Sequence, residues 1–430
     1  VNVNLPYNGL NPNVNVNEGM SMTARDADYW KNFSLIAAIT FLAYTSNFFF
    51  IPFLPVYMTN TGYAQWAIGL AVGAFSITSV FLRPLVGGLM DCWPRRLFVI
   101  TGSLVLSVLP LFYPWTHGLT ALVLLRILHG VGISLVITAG TVIIADIAPP
   151  GRLSQSTGHY MSSVSLALIV APIAAGQVMG SHPGSFWPFV LWPAALAVPA
   201  LAGSLFLRET RCTPAANGDY SLLGSLRDLS PKTVWVPTVS FLSCQVTQGA
   251  IFAFVPVLTL GWSYRGAAGI YFAVYGAVII AVRILLGHLA DRHGRHKVVL
   301  PTLLLSAAGT GLLFWSHGVW LLVVSAVVYG VGYGLAYPGL NAFLVDHVDE
   351  RKRGAALGLF ATALGAGTML GPVMAGLVTP VTGVPAMFLW LALAPVAGAL
   401  LFALAFREAG LRKWPMPEDS PRGVGGQLPL

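Results

Sequence analysis

The chain has 430 residues, 56% of them hydrophobic and only 9% charged, with a mean hydropathy of +0.75. A soluble domain carries about a quarter charged residues, so this composition excludes a soluble globular protein. The formal net charge of +8 sits in short loops between apolar runs, which excludes the continuous basic face of a nucleic-acid binder.

Residues 1–32 form a polar N-terminal tail, and residues 1–30 read as disordered. Met20 and Met22 are both candidate starts, and no cleavable signal peptide is visible. Twelve apolar runs follow, each long enough to cross about 30 Å of hydrocarbon as a helix. In the first half they cover 33–58, 64–90, 97–115, 119–147, 155–180 and 186–207. In the second half they cover 233–260, 266–290, 297–316, 318–347, 354–379 and 384–406. The chain is therefore expected to be an all-α membrane protein, with six-helix units at 33–207 and 233–406. A polar linker at 208–232 contains Pro214, Gly218 and Pro231, and a polar tail occupies 407–430. Cys92, Cys212 and Cys244 are scattered without metal or disulfide spacing and read as free thiols.

Lys and Arg set the orientation. Loops after even-numbered spans carry Arg95, Arg96, Arg152, Arg208, Arg211, Arg227, Lys232, Arg292, Arg295, Lys297, Arg351, Lys352 and Arg353, whereas the opposite loops carry only Arg265. The positive-inside rule then makes the linker and both termini cytoplasmic. Every acidic residue lies in a tail, a basic-side loop or a basic-side helix end.

The halves repeat. Residues 287–297 read G-H-L-A-D-R-H-G-R-H-K, and a weaker copy stands 200 positions earlier at Gly87, Leu89, Asp91 and Arg95. The same offset relates Arg83 to Arg283, Trp115 to Trp315, Gly130 to Gly330, Asp146 to Asp346, Pro172 to Pro372 and Gly176 to Gly376. Two homologous halves of this kind are a transporter signature.

The pattern G-x-L-x-D-R-x-G-R, complete in 287–297, resembles the signature loop of the major facilitator superfamily. The first copy departs from it at Cys92 and Pro94. The resemblance covers residues 33–406 and implies two pseudo-symmetric six-helix bundles that rock about a central cavity. It implies a cytoplasmic gate built from Arg83, Asp91, Arg95, Asp146, Arg283, Asp291, Arg292, Arg295 and Asp346. Within that gate Arg83 and Arg283 are expected to snorkel or to pair with Asp146 or Asp346, with an anion-binding pair as the other reading. Residues 122–132, with Arg126 and His129 one turn apart, resemble the fourth-helix motif of proton-coupled members. Arg126 either faces the cavity or bonds backbone carbonyls of the first helix. Pro172 and Gly176, and more fully Gly367, Gly371, Pro372 and Gly376, resemble the fifth-helix motif of antiporters, although close helix packing alone explains them.

Amides and aromatics at helical spacing line the expected substrate cavity: Tyr44, Asn47 and Phe48 on the first helix, Arg126 and His129 on the fourth, Gln245 and Gln248 on the seventh, and Tyr333, Tyr337 and Asn341 on the tenth. No Ser-His-Asp set shares a face, His293 and His296 belong to the signature loop, and no phosphate-binding loop is present, so neither an enzyme nor an ATP-driven pump is expected. The reading is a secondary transporter exporting a drug-like compound or metabolite in exchange for protons. It needs no cofactor or metal, only a proton or ion gradient, and its partners are a small molecule and the bilayer. A monomer in a bacterial cytoplasmic membrane is what the resemblance implies. Uptake or exchange of an organic anion is the alternative in the same class, and a non-transporting receptor or scaffold is the alternative outside it.

Overall fold

A backbone inside hydrocarbon must satisfy its own hydrogen bonds, so each apolar run folds as a helix. The computed structural model describes residues 18–90, 93–149, 152–181, 187–210, 231–264, 266–286, 295–348 and 353–408. Twelve long helices occur among them. The first six are α1 (Glu18–Asn60), α2 (Gln65–Met90), α3 (Arg95–Val108), α4 (Leu119–Ile147), α5 (Leu153–Ser181) and α6 (Trp187–Ser204). The second six are α7 (Val236–Leu258), α8 (Ala267–Leu286), α9 (Arg295–Leu312), α10 (Val319–Asp346), α11 (Arg353–Thr382) and α12 (Val384–Glu408). Short 3₁₀ turns, Leu109–Trp115 and Leu313–Trp315, extend α3 and α9. Twelve segments of the described residues are apolar and long enough to cross a membrane.

One expectation fails. Residues 18–30 continue α1 as helix, where the sequence reads as a disordered tail. Glu18, Met20, Met22, Ala24, Arg25 and Ala27 are adequate helix formers, and no proline interrupts α1 before Pro52.

The helices form two six-helix bundles. In the first, α1 packs on α4, α5 and α6, α2 on α4, and α3 on α4 and α6. In the second, α7 packs on α11 and α12, α8 on α10, and α9 on α10 and α12. The pairings repeat from one bundle to the other, as the 200-residue register requires. Tight turns between α1 and α2 and between α7 and α8 use Gly62 and Gly261, both at φ 82°. Exposed Trp66, Trp115, Trp187, Trp315 and Trp320 ring one end of the bundles, and Trp93 and Trp235 lie at the other, as aromatic belts at two interfaces.

The bundles meet mainly through α2 with α11 and its symmetry counterpart, α5 with α8. Missing side chains permit both contacts. A Cβ on Gly69 would strike the Pro372 carbonyl, and one on Gly73 would lie 2.6 Å from the Met369 carbonyl oxygen. On the other pair, a Cβ on Gly269 would lie 2.9 Å from the Pro172 carbonyl oxygen and one on Gly276 2.7 Å from Ile169. Gly367 and Gly371 face α7, where added side chains would strike Gln245 and the Val246 carbonyl, so α11 is pressed between both bundles. Gly376 abuts Gln65 and Trp66, while Gly176 only approaches Gly266 at 3.9 Å.

All these close contacts lie toward the ends that lack basic loops. Toward the basic ends, Gly158 on α5 and Gly358 on α11 have nothing within 4 Å of a built Cβ. Arg283, Ile284 and Leu285 are exposed. Among the described residues, the bundles are in close contact at one end and show no such contact at Gly158 and Gly358 toward the other.

Gly69→Leu should therefore push α2 from α11 and destabilise the detergent-solubilised protein by about 1–3 kcal/mol. Gly158→Leu should leave the thermal midpoint unchanged. Equal midpoint shifts for the two variants would remove the close-packing argument.

Candidate functional site

The first-bundle part of the site is an aromatic pocket around α4. Arg126 is 6% exposed, and its guanidinium carbon lies 4.7 Å over the Phe75 ring of α2. Its Nε and Nη1 have no hydrogen-bond partner. The carbonyls of α1 therefore leave those two nitrogens unsatisfied. His129, one turn on, is fully enclosed, and its Nδ1 lies 3.3 Å from the Tyr113 hydroxyl while Nε2 has no partner. Phe50 stacks on Tyr113 at 5.0 Å and meets the His129 ring edge-on at 5.1 Å. A guanidinium on an aromatic face is held by the ring quadrupole, but that attraction does not replace two missing acceptors.

The second bundle solves the same positions differently. Ala326, Tyr329 and Tyr275 stand where the first has Arg126, His129 and Phe75. Gln248 Nε2 donates to the Tyr275 hydroxyl at 2.7 Å, and the Tyr333 hydroxyl donates to Gln248 Oε1 at 3.0 Å. The Tyr329 hydroxyl lies 3.1 Å from that of Thr247 and donates to the Cys244 carbonyl at 3.2 Å. This network is neutral and internally satisfied. Gln248, read from the sequence as a cavity amide, thus has both ends of its amide committed to tyrosines. Gln245 is fully buried, with Nε2 at 3.5 Å from the Leu364 carbonyl and Oε1 without a partner.

The other expected lining residues are placed as follows. Tyr44 and Phe48 are half-buried on α1 with rings 5.2 Å apart, and Asn47 is buried with an unpartnered Oδ1. Tyr337 is half-buried against Phe241 and Phe360, and Asn341 is half-buried one turn beyond it. Sequence reasoning missed Phe75, Tyr113, Tyr275 and Tyr329. The repeat held the signal for three of them: position 75 pairs an aromatic ring with Tyr275, and His129 pairs with Tyr329.

At the basic ends, Asp146 closes α4 and pairs with Arg95 at 3.0 Å rather than with Arg83. Thr210 Oγ1 donates to the same carboxylate oxygen at 2.7 Å. Glu209 accepts from the Arg95 and Arg96 backbone N–H groups at 3.0 and 3.1 Å, and Arg96 Nη2 donates to the Leu205 carbonyl. Pro94 offers α3 no side-chain cap, so the Glu209 carboxylate supplies one to the positive helix end. The Arg83 guanidinium faces the Tyr44 hydroxyl, and its Nε has no partner. Arg283 is exposed on α8, and Asp346 is exposed at the end of α10. Asp91, Asp291 and Arg292 lie outside the described residues, and Arg295 opens α9. No group of three or more His, Cys, Asp or Glu among the described residues could hold a metal ion.

The family model described as Major Facilitator Superfamily matches residues 36–289 and 238–424. The chain is 22% identical over 365 residues to the uncharacterized MFS-type transporter MJ1560 of Methanocaldococcus jannaschii, covering 83% of this chain and 94% of that protein. It is 24% identical over 332 residues to the quinolone resistance protein NorA of Staphylococcus aureus, covering 76% of this chain and 84% of that one. Its fold is similar to that of a bacterial homolog of the human lysosomal transporter Spinster, solved inward-facing and unoccupied, with a TM-score of 0.75 and 16% identity over 90% of this chain and 98% of the other. With the family model spanning most of its length, the chain belongs to the Major Facilitator Superfamily of membrane transporters, and it is not an enzyme.

Proposed function

We propose that this protein exports a small amphipathic organic compound in exchange for protons, by rocking one six-helix bundle against the other. The observation that carries the reading is the Arg126 pocket: an enclosed guanidinium with two free nitrogens on an aromatic wall. A polar end of the cargo would complete those nitrogens, and an apolar body would lie on the rings. The likeness to NorA, named for quinolone resistance, supports efflux. The distribution of Lys and Arg supports cytoplasmic termini, and the likeness to NorA of Staphylococcus aureus supports a bacterial cytoplasmic membrane. In that orientation the bundles are parted on the cytoplasmic side, ready to load. The protein acts as a monomer, and the gate residues Asp91, Arg95, Asp291, Arg292 and Arg295 hold the cytoplasmic side shut in the opposite state.

A second reading, uptake or exchange of an organic anion, is favoured by one observation: no acidic residue lies in the middle of any span, so Arg126 has no counter-ion there. Reconstitution into proteoliposomes separates the readings. Export requires solute movement against its gradient when a pH difference is imposed, and exchange requires counterflow without one. Movement that responds to neither condition would remove both.

His129 positions the pocket through Tyr113. A second cation beside the Arg126 guanidinium in a dry site is electrostatically costly, so His129 is read as a positioning residue and not as the proton carrier. His129→Gln should keep the pH dependence of transport, because the amide can still hold Tyr113. A lost pH response with intact counterflow would instead assign the proton to His129.

Arg126→Met should separate stability from function. Replacing an incompletely partnered buried charge with an apolar group of similar length is expected to be neutral or stabilising by about 1–4 kcal/mol. Transport should fall at least about a hundredfold if two charge-assisted bonds to cargo are lost. A destabilised Arg126→Met protein with normal transport would place Arg126 in the scaffold.

Asp291→Asn should slow cycling with expression and insertion intact, because charge pairing worth roughly 1–3 kcal/mol shifts a balanced two-state equilibrium. Asp91→Asn should be harmful but milder, since its loop already lacks the usual Arg and Gly at Cys92 and Pro94. Equal or reversed rate defects at matched expression would contradict this ranking.

A further inference from the structure

The two seams between the bundles are related by the internal repeat, yet they end differently. Along α2 with α11 the contact stays tight up to the end opposite the basic loops. There a Cβ on Gly376 would lie 2.5 Å from the Gln65 carbonyl oxygen and 2.9 Å from the Trp66 Cα. Along α5 with α8 the contact loosens toward the same end. A Cβ on Gly276 would lie 2.7 Å from Ile169 and one on Gly269 2.9 Å from the Pro172 carbonyl oxygen, but one on Gly176 meets only the Gly266 Cα, at 3.9 Å. A cavity of about 220 Å³ opens at that point, between Ile173, Gly176 and Gln177 of α5 and Gly269 and Ile270 of α8, with Tyr264 and Gly266 at its head.

The sequence explains the difference. By the 200-residue register, Ala64 and Trp66 of the first half become Tyr264 and Gly266 in the second. The start of α8 therefore lacks the indole that starts α2, and this seam is short of side-chain volume. An unfilled notch forfeits dispersion contacts on both of its walls.

What fills the notch follows from where it opens. Tyr160, Ala167 and Ala171 form a buried face of α5 toward α1, with the Tyr160 hydroxyl 2.9 Å from that of Thr40. Leu166, Val170 and Ile173 recur at helical spacing on another face and are exposed, and Gln177 continues their row. The apolar spans run over Gln155–Val178 in α5 and Ala267–Leu286 in α8, so this row faces hydrocarbon and leads into the notch within the last two turns of the span. The notch is thus continuous with the lipid-facing surface. Its apolar residues, Ile173 and Ile270, lie deeper, and Gln177 and Tyr264 stand nearest the headgroup level.

We infer that the notch seats one acyl chain of a phospholipid from the leaflet opposite the basic loops, and that this chain completes the α5–α8 seam where the repeat lacks its indole. A flexible chain conforms to an irregular gap, and an amide with a phenol at the head of the notch suits the polar start of the lipid at the interface. The chain stabilises the state in which this end is closed, and it leaves the notch when the seam opens there, so the lipid regulates the alternation. The inference goes beyond the export reading and holds whatever the cargo is.

The test uses the full-length protein in liposomes of phosphatidylcholine that carries a photoreactive diazirine in one acyl chain, with labelled residues read by peptide mass spectrometry. Ile270 and its repeat equivalent Leu70 are both half-buried, so the α2–α11 seam is an internal control. Labelling of Ile270 should exceed that of Leu70 severalfold. The double variant Tyr264→Ala with Gly266→Trp, which restores the first-bundle residues, should remove the excess. In detergent, added phosphatidylcholine should raise the thermal midpoint of the unaltered protein and leave that of the double variant unmoved. Equal labelling of Ile270 and Leu70, or an excess that survives in the double variant, overturns the inference. The comparison of Ile270 with Leu70 needs no variant and survives any that fail to fold. Two other occupants give their own outcomes, each against the inference. Loss of the label when native mass spectrometry shows a dimer assigns the notch to a second copy, and displacement of the label by the soluble quinolone norfloxacin assigns it to cargo. The transporter reading fails separately, if Ile270 is labelled as expected but no solute crosses proteoliposomes.

Discussion

The structure depends on two seams where backbones touch because side chains are absent. Lipid offers no hydrophobic force between helices, so association rests on close packing. At α2 with α11, Gly69 and Gly73 let the helix ride directly on the Pro372 and Met369 carbonyls. At α5 with α8, Gly269 rides on the Pro172 carbonyl and Gly276 leaves room for the Ile169 side chain. The seams are exchanged by the internal repeat, so a rotation that closes one end of both opens the other. Among the described residues, Gly158 and Gly358 have nothing within 4 Å, which marks the basic end as the one where the seams are not closed.

Charge is the second constraint. Arg83, Arg126 and Arg283 are carried by spans whose interiors hold no carboxylate. In the second bundle the corresponding inner positions are filled by a neutral network of Gln248, Tyr275, Tyr333, Tyr329 and Thr247, which satisfies itself. The asymmetry assigns different work to the halves. Among the described residues, the first bundle keeps two Arg126 nitrogens without partners, whereas at the equivalent height the second closes Gln248 between Tyr275 and Tyr333.

Much of the fold was legible because membrane helices are written in one variable, the length of an apolar run. The run at 119–147 matches α4 to the residue, and the register of Arg83 with Arg283 and Asp146 with Asp346 gave the two-bundle plan. The site was less legible because partner choice is tertiary. Arg83 and Arg95 both lie within reach of Asp146 on any sequence argument, and only the packing of α3 on α4 brings Arg95 to it. Gln248 reads as a free cavity amide until Tyr275 and Tyr333 are seen to close on it. Glu209 gave no signal at all, since its role follows from Pro94 leaving the start of α3 uncapped. The start of α1 was misjudged because polarity outweighed helix propensity in residues 18–30.

The central claim is that the two ends of the bundle interface open in alternation. Pulsed electron paramagnetic resonance tests it on spin labels at Gly158→Cys with Gly358→Cys, and at Ala64→Cys with Ser263→Cys on the opposite, clasped side. Cys92, Cys212 and Cys244 are first replaced by alanine. The account predicts a long distance for the first pair in the resting protein, and opposite shifts of the two pairs when a pH difference and cargo are supplied. A single unchanging distribution for both pairs, or shifts in the same direction, would contradict it.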